Sequence, residues 1–223
     1  MDQAAAVRTA PSATSESRAL LACGVVAGPL FIVVALVQAF TRSEFDLSRH
    51  PLSLLSLGDL GWIQIANFVV AGLLFSACAV GMRRAMDRSS GGTWVPRLIG
   101  VFGLSLIAGG VFLSDPAFGF PPGTPPGTPE ELSWHSIVHG IAPVLGFLAL
   151  VAASFVFARH YSRVGERGWA VGSALVGVVV LALSAWPNLG GDPEGRFGPL
   201  WVAMVLGFAW ASIMAVRLLR GGR

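Results

Sequence analysis

Ser114-Asp115-Pro116 closes one apolar run, a connector with six prolines between Pro116 and Pro129 follows, and Trp134-His135-Ser136-Ile137-Val138-His139 opens the next apolar run. So many prolines rule out a regular helix, because each lacks an N–H donor and clashes with the preceding turn. The connector is therefore read as extended or lid-like. A helix needs about 20 apolar residues to cross the hydrocarbon core of a bilayer. Working outward from this junction, six runs qualify: 19–40, 60–82, 97–114, 134–157, 169–187 and 198–218.

Composition leads to the same class. The 223 residues are 54% hydrophobic and 12% charged, against about 25% charged residues in an ordinary soluble domain. The chain is read as an all-α, polytopic membrane bundle of six transmembrane helices. Residues 1–17 form a polar, disordered tail, residues 18–218 the transmembrane domain, and residues 219–223 a basic C-terminal tail. The first apolar run is longer than the roughly 7–15 residues of a signal-peptide core, so it is taken as an uncleaved first helix. Cys23 and Cys78 fall inside predicted crossings and imply no disulfide.

All fifteen basic residues are Arg. Twelve of them (Arg8, Arg18, Arg83, Arg84, Arg88, Arg97, Arg159, Arg163, Arg167, Arg217, Arg220 and Arg223) fall on one side of the six crossings, and Arg42, Arg49 and Arg196 fall on the other. Positive flanks stay in the cytoplasm, which predicts cytoplasmic termini and a multi-pass protein of the plasma membrane. Short Arg groups between apolar runs are topology signals, so nucleic acid is excluded as a partner and the bilayer is the expected one. Trp62, Trp134, Trp186 and Trp201 near outer ends, with Trp94 and Trp169 near inner ends, read as interfacial belts. Gly24 with Gly28, and Gly168 with Gly172, offer small-residue spacings for close helix packing.

Polar residues are placed unevenly. Gln38, Gln64, Asn67, Asp115, His135 and His139 all fall toward the outer ends of their runs, while the inner halves hold scattered Ser and Gly. Polar groups at such depths face the bundle interior or a water-filled cavity, so an outward-facing polar pocket is expected. Arg49, His50, Asn67, Asp115, His135, His139 and Arg196 are its candidate ligand-binding residues, for a lipid-like or small ligand. His135 and His139 lie four residues apart, on one helix face and about 6 Å apart along the axis. With Asp115 they form a candidate metal set, for which zinc with an open water position is the fitting ion. Metal-bound water would then support intramembrane hydrolysis. The plainer alternatives are that Asp115 caps a helix-to-loop junction, and that the whole chain is a membrane scaffold. The first outer loop carries Asp46, Arg49 and His50 before Pro51-Leu52-Ser53-Leu54-Leu55-Ser56-Leu57-Gly58, which is too short to span and either lies along the interface or dips toward the bundle.

The run Phe45-Asp46-Leu47-Ser48-Arg49-His50-Pro51 through Gly58, then Gly61-Trp62, Gly110-Val111-Phe112, Asp115-Pro116, His135 and Gly195-Arg196, resembles the bacterial six-helix membrane family called domain of unknown function 998. The resemblance spans about residues 19–218 and implies an integral membrane protein, with no established catalytic residue. A looser likeness runs to the seven-helix intramembrane hydrolases of the alkaline ceramidase and adiponectin-receptor class. It implies zinc held among Asp115, His135 and His139, with Ser53 or Ser56 beside it.

Overall fold

The computed structural model describes residues 15–86, 92–189 and 196–221. Six helices form: α1 (Ser15–Thr41), α2 (Gly61–Ala85), α3 (Trp94–Val111), α4 (Trp134–Arg163), α5 (Arg167–Leu189) and α6 (Gly198–Leu219). Each is long and apolar enough to cross a membrane. Among the described residues no strand forms, only an isolated bridge between Ala117 and Phe120. Each helix packs against its neighbours in sequence, and α6 returns to α1, so the bundle closes as a ring. One end of it, here called the mouth, carries the loops after α1, α3 and α5.

Where the helices stop follows local chemistry more than hydropathy. The first begins at Ser15, four residues ahead of its apolar run, with Ser17 already buried. Residues 1–14 of the expected tail lie outside the described residues. The fourth overruns its apolar stretch through Arg159 and His160 to Arg163. It ends only at Gly165, whose φ of +81° is the left-handed conformation that a side chain resists. There the Glu166 N–H bonds the Tyr161 carbonyl and the Gly165 N–H that of Ser162, the paired closure that satisfies the last helical carbonyls. By contrast α3 ends at Val111, three residues before the apolar run does.

The core is aromatic and shared among four helices. Phe31 of α1 stacks on Phe208 of α6 with ring centroids 4.6 Å apart, Phe68 of α2 meets Phe31 edge-on at 5.3 Å, and Phe102 of α3 meets Phe208 at 5.0 Å. Such pairs add about 0.5–1.5 kcal/mol each beyond their buried area. Lipid tails are as apolar as these rings, so close packing and not exclusion of water holds membrane helices together. Gly28 serves that end: a Cβ there would sit 2.6 Å from the Phe208 carbonyl oxygen of α6. Gly168 and Gly172, by contrast, have nothing within 4 Å of such a Cβ and do not pack inside this chain.

Two expectations change. Trp201 is buried and not part of a surface belt. The end opposite the mouth is not merely dry Ser and Gly: the Arg217 guanidinium lies 4.9 Å from the Tyr161 ring centroid and 4.4 Å from that of Trp169, and pairs with Glu166 at 3.0 Å.

Gly28→Ala is expected to push α1 from α6 and lower stability by about 1–3 kcal/mol, the usual range for overpacking. Gly172→Ala should not lower it. Thermal unfolding of the two variants in the same detergent is the comparison.

Candidate functional site

Because the helices alternate in direction, the C-terminal ends of α1 and α3 meet the N-terminal ends of α2 and α4 at the mouth. Gln38, Gln64, Asn67, Asp115, His135 and His139 therefore share one end. They form separate groups there and not one ligand set.

The first group closes the α3–α4 junction. Past the end of α3, the carbonyls of Phe112 and Leu113 have no helical partner, as at any helix terminus. His139 Nδ1 lies 2.6 Å from the Phe112 oxygen, and His135 Nδ1 lies 3.1 Å from the Leu113 oxygen. A carbonyl only accepts, so Nδ1 carries the proton in both rings. Ser133, the residue before α4, holds the other half together. Its hydroxyl donates to Asp115 Oδ1 at 2.6 Å, its N–H donates to Asp115 Oδ2 at 2.7 Å, and its Oγ accepts from the Ser136 N–H as the helix cap. The Asp115 N–H in turn donates to Ser136 Oγ at 3.1 Å. Ser133 is not among the residues singled out from the sequence, although a serine directly before an apolar helix is a capping signal. Donation from the Ser133 hydroxyl, then from its N–H, holds the Asp115 carboxyl below the usual carboxylate range. Among the described residues no group of three His, Cys, Asp or Glu is arranged to hold a metal ion.

The second group is a buried row of amides. Gln38 Nε2 donates to Gln64 Oε1 at 2.8 Å, and Asn67 Nδ2 donates to the same oxygen at 3.2 Å and to the Phe31 carbonyl at 3.1 Å. Arg42 extends the row, with Nη2 donating to Gln38 Oε1 and Nη1 to the Leu55 and Leu57 carbonyls. Gln64 Nε2 and Asn67 Oδ1 find no partner among the described residues. Asn67 is thus placed between α1 and α2, away from the Asp115 junction.

The third group ties the loops to each other. The stretch after His50 dips into the bundle as a 3₁₀ helix, Leu52–Ser56, burying Leu54 and Leu55. His50 is buried and linked to the connector and to α6: its ring reaches the Phe118 carbonyl of the proline-rich connector, and its own carbonyl accepts from Trp201 Nε1 of α6 at 3.0 Å. The connector is not extended. It folds back on itself, with the Phe118 N–H donating to the Gly127 carbonyl at 2.7 Å. Arg49 and Arg196 are exposed. Asp192 and Glu194 of the third loop lie outside the described residues.

Beneath these groups lies a cavity of about 90 Å³. Phe31, Phe68, Phe102, Phe208, Leu106 and Met204 form its apolar wall, Pro51, Leu52 and Ser53 its roof, and among the described residues His139 is the only ionisable side chain lining it. Pro143 and Phe147 of α4 and Leu200 of α6 also line it. Pro143, one of its lining residues, is also exposed on the bundle surface. Ser56 is buried beside the roof and Ser53 lines the cavity.

A family profile described as protein of unknown function (DUF998) matches residues 25–217. The chain belongs to this family. No curated protein matches the chain, and no solved structure does. The DUF998 chain is thus a multi-pass membrane protein.

Ser133→Ala removes both the helix cap and a donor to Asp115, and is expected to cost about 1–2 kcal/mol. The pH dependence has a definite sign. Asp115 is lowered on folding, so the stability it contributes is present above the ordinary carboxylate pKa near 3.9 and is lost as pH falls through the lowered value. Unfolding midpoints between neutral pH and about pH 3 should therefore show a fall confined to the acid end, smaller in Ser133→Ala.

Proposed function

We propose that this DUF998 protein binds the hydrocarbon portion of a lipid-like amphiphile in the cavity beneath its mouth. One observation carries the reading: an aromatic-walled cavity is bordered by Pro143, itself exposed on the bundle surface, and among the described residues His139 is the single ionisable side chain lining it. A hydrocarbon chain leaving the bilayer for this cavity gains little from hydrophobicity, because both surroundings are apolar. Shape fit and one polar contact must then supply selectivity, and His139 is placed to make that contact. The volume suits a short run of methylene groups and not a whole lipid. The ligand class is accordingly a long-chain amphiphile, partly inserted, with a hydrogen-bonding group near His139.

The same reading places the protein in the plasma membrane with the mouth facing outward. Among the described residues, Arg18, Arg83, Arg84, Arg97, Arg159, Arg163, Arg167, Arg217 and Arg220 lie toward the end opposite the mouth, whereas Arg42, Arg49 and Arg196 lie at the mouth. That asymmetry favours cytoplasmic termini. A membrane-impermeant thiol reagent should label Arg49→Cys and spare Arg163→Cys in intact cells.

The binding reading is tested with a long-chain primary alcohol bearing a diazirine, photolysed with the protein in liposomes and mapped by peptide mass spectrometry. Cross-links should fall on cavity residues of α3, α4 and α6 and be competed by unmodified alcohol. Ser53→Trp, which fills the cavity from its roof, should weaken capture by about tenfold, equivalent to 1.4 kcal/mol. Labelling spread over the lipid-facing surface and indifferent to competitor would refute the reading.

A further inference from the structure

The two ring nitrogens of His139 are not equivalent. Nδ1 carries a proton that is committed to the Phe112 carbonyl at 2.6 Å, so Nε2 of the neutral ring is a bare lone pair. Among the described residues nothing donates to that lone pair. Unlike Gln64 Nε2 and Asn67 Oδ1, it is also not sealed inside the protein. The ring stands in the cavity wall: it is buried, meets Phe68 edge-on with centroids 6.5 Å apart, and lines the space beside it. No Asp or Glu among the described residues lines that space, so a second proton would leave an unpaired charge among aromatic rings.

The other polar groups nearby are of the same kind. Ser105 lines the cavity and gives its hydroxyl proton to the Phe102 carbonyl at 2.7 Å, which leaves its oxygen only lone pairs to offer. Gly109 lines it too, and its carbonyl, beside the His139 ring, can only accept. Ser53 in the roof is the single lining side chain among the described residues with a donor proton still uncommitted. The wall around His139 is therefore a set of acceptors without a donor. An ester, ether or ketone placed there would set lone pair against lone pair. A carboxylate or phosphate would add a negative charge where, among the described residues, no Arg lines the space.

We propose that the cavity selects neutral amphiphiles bearing a hydroxyl or an amide N–H, with that group donating to His139 Nε2. The inference deepens the binding reading above and rests on it, since it names the polar group that the hydrocarbon chain must carry. The methylenes of a long-chain alcohol or amide pack on Phe31, Phe68, Phe102 and Phe208, and its one donor meets the one open nitrogen. Discrimination follows from what a wrong ligand leaves behind: a site built to hydrogen-bond a hydroxyl rejects an analogue lacking it far more strongly than a pocket rejects a missing methylene.

The experiment ranks competitors of equal chain length against photo-capture of the diazirine alcohol by the wild-type protein in liposomes at neutral pH. The competitors are the primary alcohol, the primary amide, the methyl ether, the methyl ester and the carboxylate. Alcohol and amide should compete at about tenfold lower concentration than ether or ester, equivalent to 1.4 kcal/mol, and the carboxylate should compete least. His139→Phe keeps a ring without the lone pair, and should bring alcohol and ether to the same potency. The ranking in the wild type stands even where that variant does not fold. With four His residues in the chain, ¹⁵N-histidine spectra in bilayers give a second reading: His139 should show a bare Nε2 whose resonance moves on addition of the alcohol and stays in place on addition of the ether. An ether as potent as the alcohol, a preference that survives in His139→Phe, or a protonated Nε2 in the wild type overturns the donor requirement and leaves the binding reading in place. Capture that no competitor reduces overturns both.

Discussion

In hydrocarbon there is no water to take up a stray backbone carbonyl, and each one left alone costs several kcal/mol. The mouth of this bundle is shaped by that constraint. Ending α3 at Val111 strands the carbonyls of Phe112 and Leu113 at the edge of the apolar layer, and the two imidazoles of α4 reach across to them. The spacing that suggests a metal site thus also suits two successive carbonyls on a neighbouring, unwinding chain. Asp115 and Ser133 perform the complementary task for the start of α4, where the unmet groups are N–H donors.

The six crossings were legible because hydropathy measures what the bilayer selects. The ends were less so, because they depend on interactions hydropathy does not register: a left-handed Gly165 prolongs α4, and the imidazole contacts accompany the early end of α3. The polar residues at the mouth were legible as a set, since alternating helix direction places Gln38, Gln64, Asn67, Asp115, His135 and His139 at one end. Their division into groups was not. Whether His50 faces Asp115 or Phe118 depends on how a proline-rich connector folds back, and no periodicity encodes that. Trp201 shows the same limit: its sequence position fits an interfacial belt, whereas its indole N–H is used by the His50 carbonyl.

The aromatic cavity wall was invisible for a different reason. Phe31, Phe68, Phe102 and Phe208 come from four helices, and each looks like one more apolar residue in its own run. Only the closed ring of helices brings them together. Gly28 allows α1 and α6 near contact while Phe31 and Phe208 stack one turn away.

How the mouth spends its polar groups bears on the competing readings of the site. A hydrolytic metal centre built on Asp115, His135 and His139 needs lone pairs from all three. The rings still have Nε2 to offer, since Nδ1 is engaged with carbonyls, an arrangement compatible with ligation. Asp115 is the harder case: both its oxygens already accept from Ser133, and turning either toward a metal would give up a bond that holds the junction. Loading such a site would carry a structural cost at the junction. A hydrocarbon chain in the cavity, as proposed above, would demand nothing of Asp115 and would meet His139 with its Nδ1 bond to Phe112 intact. On that difference in reorganisation, the geometry favours occupation of the cavity over rebuilding of the junction.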